Sequence, residues 1–126
     1  MYDLARFGKA LGDPTRVRIL NLLRQADLCV CELVDALELG QSTLSTQLQV
    51  LRQAGVVRTE KRRSWIIYSV EPAAREPLEA LFQRFGPDDD RTRRDIARCE
   101  RRLHLRVDGC CVLGSGQLEK ELVETR

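Results

Sequence analysis

Five thiols dominate the chemistry this sequence offers. Cys29 and Cys31 stand two residues apart, and Cys99, Cys110 and Cys111 form a second group. A thiolate is both a nucleophile and a ligand for soft ions. The chain has no apolar run near ~18 residues and no signal-peptide pattern, so no membrane is expected and the expected compartment is cytoplasmic. In that reducing setting the cysteines are expected to bind metal or act in redox chemistry rather than form structural disulfides. An enzyme is not expected. There is no Cys-x-x-Cys, and five residues after Cys99 comes His104 instead of the arginine of a phosphate-binding Cys-x5-Arg loop. No nucleophile has a base at recognisable spacing, and no organic cofactor is implied.

Spacing limits what the thiols can share. On a regular helix Cys29 and Cys31 would point about 200° apart and could not hold one ion. They converge only if Cys29 precedes the helix or the first helical turn distorts. Cys99 lies about two turns, or about 10 Å, before the expected end of its helix. A turn at Asp108-Gly109 would fold Cys110 and Cys111 back toward it, or the pair would reach Cys99 of a second subunit. The competing reading of Cys99 is a small core residue. The C-terminal trio ranks ahead of the Cys29/Cys31 pair as a ligand set, and a mixed site is a third arrangement.

A second chemistry lies in Gln41–Val56, QSTLSTQLQVLRQAGV. Leu44, Leu48 and Leu51 make one apolar stripe at helical period. The other face carries Gln41, Ser42, Thr43, Ser45, Thr46, Gln47 and Gln49. Apart from Arg52 it has no charge. A solvated helix usually wears Lys and Glu. Short hydrogen-bonding groups suit base edges and phosphates. An ordinary amphipathic helix with polar caps is the alternative, and the neighbouring elements decide against it.

Those elements can be read in order. Residues 2–11 suggest a first helix with Leu4, Phe7 and Leu11 turned inward. Asp13 caps a second helix that starts near Pro14 and runs from Thr15 to Gln25. Ala26–Leu28 read as a turn, and Cys31–Leu37 as a short third helix leading into the central one. After Gly55 the period changes to two. Runs at 56–60 and 65–70 form a hairpin whose tip, Lys61-Arg62-Arg63-Ser64, is basic. Residues 41–70 carry a local charge of +4, while residues 1–40 hold five basic and six acidic groups. That is where a nucleic-acid footprint belongs. A helix at Arg75–Phe85 has Leu78, Leu81, Phe82 and Phe85 as its stripe. Another opens at Asp88–Asp90 and continues through Arg106.

This is the order of a winged helix-turn-helix: mainly α with a small β-hairpin, dimerising through terminal helices. Residues 1–113 are expected to form one DNA-binding and dimerisation domain, and 114–126 a flexible tail. The central helix would enter the major groove of double-stranded DNA, and Arg62 and Arg63 would reach phosphates or the minor groove. A solvated turn is the alternative for these two. One such module reads a half-site, so a homodimer on a near-palindrome is expected.

LGDPTRVRILNLL, then DLCVCELVDALELGQSTLSTQLQVLRQAGVV, then WIIYSV resemble the ArsR family of metal- and metalloid-responsive repressors over residues 4 to 72. DLCVCEL is similar to the arsenic- and cadmium-sensing branches, where the Cys-Val-Cys supplies thiolates. The resemblance implies a homodimer that occupies an operator when empty and leaves it when trivalent arsenic or antimony binds. These soft centres favour three thiolates. Alternatives are Cd(II) or Pb(II) as the signal, or a cysteine redox or persulfide switch. The chain departs from the family in three places. Val34 stands where arsenic-sensing members often have a third cysteine. Gln47 stands where the family usually has His. With His104 as the only histidine, the Asp/His zinc site of the terminal helices cannot be assembled.

Overall fold

The computed structural model describes residues 3–106. Within them lie six helices and a three-stranded antiparallel sheet: α1 (Leu4–Ala10), α2 (Pro14–Leu23), β1 (Leu28–Cys29), α3 (Val30–Leu37), α4 (Gln41–Gln53), β2 (Val57–Arg62), β3 (Trp65–Val70), α5 (Pro72–Phe85) and α6 (Asp90–Leu103). The strand order is β1-β3-β2. Cys110, Cys111, the turn expected at Asp108-Gly109 and the tail expected over 114–126 lie outside the described residues.

Local signals set most boundaries. Asp13 caps α2, its carboxylate accepting from Arg16 N at 3.1 Å, and Pro14 occupies the first helical turn. α4 ends at Ala54, followed by Gly55 at φ 75°. Gly55 N donates to Arg52 O and Val56 N to Leu51 O, the paired bonds that close a helix through a left-handed glycine. Ile19, Leu20, Leu22 and Leu23 of α2 meet Leu33 and Leu37 of α3 and Leu44, Leu48 and Leu51 of α4 in one buried core. That packing fixes the helix-turn-helix.

Several expectations are corrected. Leu28 belongs to a strand instead of a turn: β1 pairs with β3 through Leu28↔Tyr68 and Cys29↔Ile67. Two residues leave too short a period to read from sequence. The hairpin tip is tighter than four residues, because Arg62 pairs with Trp65 and only Arg63-Ser64 are unpaired. Arg63 supplies the positive φ, 57°, that Gly or Asn would usually provide. α5 starts at Pro72, since Pro at a first turn initiates as readily as it ends a strand. Leu4 is 83% exposed, not turned inward. Its neighbour Phe7 does pack on the core.

Candidate functional site

Cys29 and Cys31 come together because Cys29 precedes the helix. It is the N-cap of α3, with extended backbone (φ −86°, ψ 168°). Its Sγ lies 2.8 Å from Cys31 Sγ. Cys29 N donates to Glu32 Oε1 at 3.0 Å, which closes the reciprocal cap of α3. Glu32 is itself buried. Arg106 donates to it from Nε at 2.7 Å and Nη2 at 2.8 Å, and Nη2 also reaches Asp27 O at 2.6 Å. Burial pushes the Glu32 carboxyl up, but the Arg106 guanidinium and the Cys29 N–H outweigh it and hold the group below the usual carboxylate range. Arg102 Nη2 approaches Cys31 Sγ at 3.9 Å while its Nε donates to Asp35 at 2.7 Å.

Cys99 is elsewhere. It sits in the main core on the inner side of α6, 5% exposed. Burial, with the negative charge of Glu32 adding to it, pushes its thiol up to about 11. Among the described residues no three His, Cys, Asp or Glu side chains gather to hold a metal ion. Two sulfurs meet there, one short of the three that trivalent arsenic favours.

The amphipathic split of α4 forms as the period implied. Leu44, Leu48 and Leu51 are fully buried. Gln41, Ser42, Thr43, Ser45, Thr46 and Gln49 are exposed on α4, and Gln47 is half-buried. Two groups are already engaged: Thr46 Oγ1 donates to Ser42 O at 3.1 Å, and Arg16 Nη1 donates to Gln47 Oε1 at 2.9 Å. The Gln47 amide therefore has its oxygen turned toward Arg16 of α2. Arg62 and Arg63 are exposed on the wing, and Arg62 makes a loose 3.4 Å contact with Glu60. Arg98 and Arg102 of α6, and Arg106 three residues beyond it, also build this region through partners some 60 to 80 residues away in the chain. Their spacing at 98, 102 and 106 was the available signal.

The sequence model for bacterial regulatory proteins of the arsR family matches residues 13–59, from the cap of α2 into β2. The chain is 40% identical over 90 residues to the biofilm growth-associated repressor of Agrobacterium fabrum, covering 70% of this chain and 77% of that one. The chain belongs to the ArsR family. It is also 38% identical over 76 residues to the arsenic resistance transcriptional regulator ArsR1 of Pseudomonas putida, covering 60% of this chain but only 59% of the relative's length. Among solved structures, a homodimeric winged helix-turn-helix domain from Mycobacterium bovis, described as a possible ArsR-family regulator, superposes with a TM-score of 0.59 at 32% identity, covering 64% of this chain and 74% of that one. This fold and these ArsR-family relatives are those of transcriptional regulators, not of an enzyme. No helix among the described residues is long and apolar enough to cross a membrane.

Proposed function

We propose that this ArsR-family chain is a homodimeric repressor of a metalloid-resistance operon, released from operator DNA when As(III) or Sb(III) is captured by cysteine thiolates. The observation that carries the reading is the position of Cys29. It caps α3, the helix that leads into α4, and it pairs with Ile67 of the wing strand β3. Its sulfur and that of Cys31 are in contact at 2.8 Å. They must part to admit an ion, and that movement pulls on the recognition unit and the wing together. The capture balances as As(OH)3 + 3 RSH → As(SR)3 + 3 H2O.

We assign two of the three ligands to Cys29 and Cys31. The third is Cys110 or Cys111, of the same or the partner chain. What supports this mixed set is the chain just past α6: Arg106 is hydrogen-bonded to Asp27 and Glu32, beside the pair. Four or five further residues can span at most about 14–18 Å. The trio of Cys99, Cys110 and Cys111 is the competing set. Against it stands the burial of Cys99 in the main core, 5% exposed, where an ion would have to displace packed apolar side chains.

The test is a titration of a duplex selected by the metal-free protein, under reducing conditions. One As(III) per protomer should release the duplex, with affinity falling at least tenfold, and Cys29→Ser or Cys31→Ser should abolish release. Equal affinity with and without arsenite would overturn the sensor reading. Loss of response in Cys99→Ser alone would select the C-terminal trio. Cd(II) and Pb(II) serve as competing inducers in the same assay. The 2.8 Å contact also favours a second reading, 2 RSH → RSSR + 2 H+ + 2 e−, with a peroxide as oxidant. Release by peroxide without metal, reversed by dithiothreitol, would select that one.

A further inference from the structure

The turn between α3 and α4 is held from outside the helix-turn-helix. α3 ends on Glu38, a non-glycine residue in the left-handed region (φ 54°, ψ 43°). L side chains adopt that conformation rarely, so something must hold it. The last turn of any helix also leaves carbonyls without intrahelical partners. Here two of them are taken by guanidinium groups from other helices. Arg98 Nε of α6 donates to Ala36 O at 2.8 Å, and Arg18 Nη2 of α2 donates to Leu37 O at 2.7 Å.

The two arginines are joined by one buried carboxylate. Asp95, 2% exposed, accepts from Arg18 Nε at 2.8 Å, from Arg18 Nη2 at 2.9 Å and from Arg98 Nη2 at 2.8 Å. Arg98 Nε also lies 3.2 Å from the Glu38 carboxylate, at the turn itself. Two cations, two anions and two backbone carbonyls thus close one network across α2, α3 and α6. The charges of Arg18, Arg98 and Asp95 are sequestered, while Glu38 stays 68% exposed; sequestered charges add little net stability but select one geometry, because any displaced partner leaves a charge uncompensated. The geometry selected is the turn at 38–40, and α4 starts at Gln41.

We propose that Asp95 and Arg98 are positioning residues of the DNA-reading unit: from α6 they lock the α3–α4 turn and so aim the N-terminal half of α4. This rests on the reading of α4 as the helix that meets DNA. Neither residue belongs to the reading face, and both lie beyond residues 13–59, where the family match ends. The recognition unit of this chain is therefore not complete without α6.

The full chain with Arg98→Ala is the decisive variant, read in two ways. Amide hydrogen exchange without DNA should speed up at least tenfold at Glu38 and Leu44, whose N–H groups donate to Val34 O and Gly40 O on either side of the turn, while the amides of Ile19–Leu23 keep their protection. Duplex affinity should fall about tenfold with the slope of log K against log salt unchanged, because no phosphate contact is lost. Arg98→Lys, which keeps the charge but can serve fewer acceptors at once, should recover part of both effects, and it covers the case in which the alanine variant does not fold. Unchanged exchange at Glu38 and Leu44 in the folded variant would overturn the proposal. So would faster exchange with unaltered affinity, or an affinity loss that flattens the salt slope. A wild-type chain that binds no duplex refutes the reading of α4 instead, and the exchange measurement still decides whether the clamp exists.

Discussion

At the scale of single residues, three thiols of the same chemistry have been given different environments. Cys29 and Cys31 sit at a helix start against each other, with Arg102 near Cys31. Cys99 lies in an apolar core, its thiol pushed up to about 11 by burial and by Glu32. Two outcomes follow from that one value. At pH 8 only about one Cys99 thiol in a thousand is ionised, so iodoacetamide should label Cys31 at least tenfold faster than Cys99 in the folded protein, as peptide mass mapping would show. Stability follows the same sign. The folded pKa is above the ordinary 9, so the native state holds its proton longer than the unfolded chain. The contribution is intact below about 9 and lost as pH rises from 9 through 11. Urea midpoints should fall across that window in the parent chain and fall less in Cys99→Ala. Equal alkaline slopes would place Cys99 in a wetter environment than the core described here.

At the scale of elements, the wing and the reading helix should fail in different ways. Arg62→Ala with Arg63→Ala removes exposed cations at a hairpin tip, so DNA affinity should drop nearly uniformly over sequences and the salt slope should flatten by about 0.9 per lost phosphate contact. Gln49→Ala on α4 should change preference at particular base pairs, by about 1–3 kcal/mol if a bidentate contact is lost. A uniform loss in the helix variant would reassign Gln49 to the backbone. The contrast also shows what a sequence can reveal. The stripe Leu44, Leu48, Leu51, the Asp13-Pro14 start and the Gly55 stop are local signals, and the structure follows them. β1 is two residues long and exists only because Ile67 and Tyr68 pair with it, so nothing within Ala26–Cys29 announces it. The convergence of Cys29 and Cys31 depends on that strand, which keeps Cys29 out of the helix. The Asp95 network joins residues 18, 37, 95 and 98, and no local pattern reaches across such separations. Of the candidate site, the face of α4 was legible and the linkage behind it was not.

At the scale of the molecule, the two terminal helices play different parts. α6 spends its inner face on its own chain, through Asp95, Cys99 and Arg102, and Arg106 just past its end does the same. α5 does not: Leu78 is buried, yet Leu81 is 37% and Phe85 73% exposed, and Leu4 of α1 is 83% exposed. Leu81, Phe82 and Phe85 also line an open cavity of about 190 Å3 with Leu11 and Val17. Exposed apolar groups of α5 beside Leu11 suit the interface of the proposed homodimer, and a two-fold pairing there would set two α4 helices against successive half-sites. Phe85→Glu would bury a charge at that surface without touching the monomer core. The variant should sediment as a folded monomer at concentrations where the parent is dimeric. It should bind an isolated half-site as the parent protomer does, and lose at least a hundredfold on the full palindrome, since one protomer then supplies one contact set where two were linked. A dimer that persists in Phe85→Glu would move the interface away from α5, and a monomer that still binds the palindrome at full affinity would show that half-sites are read independently.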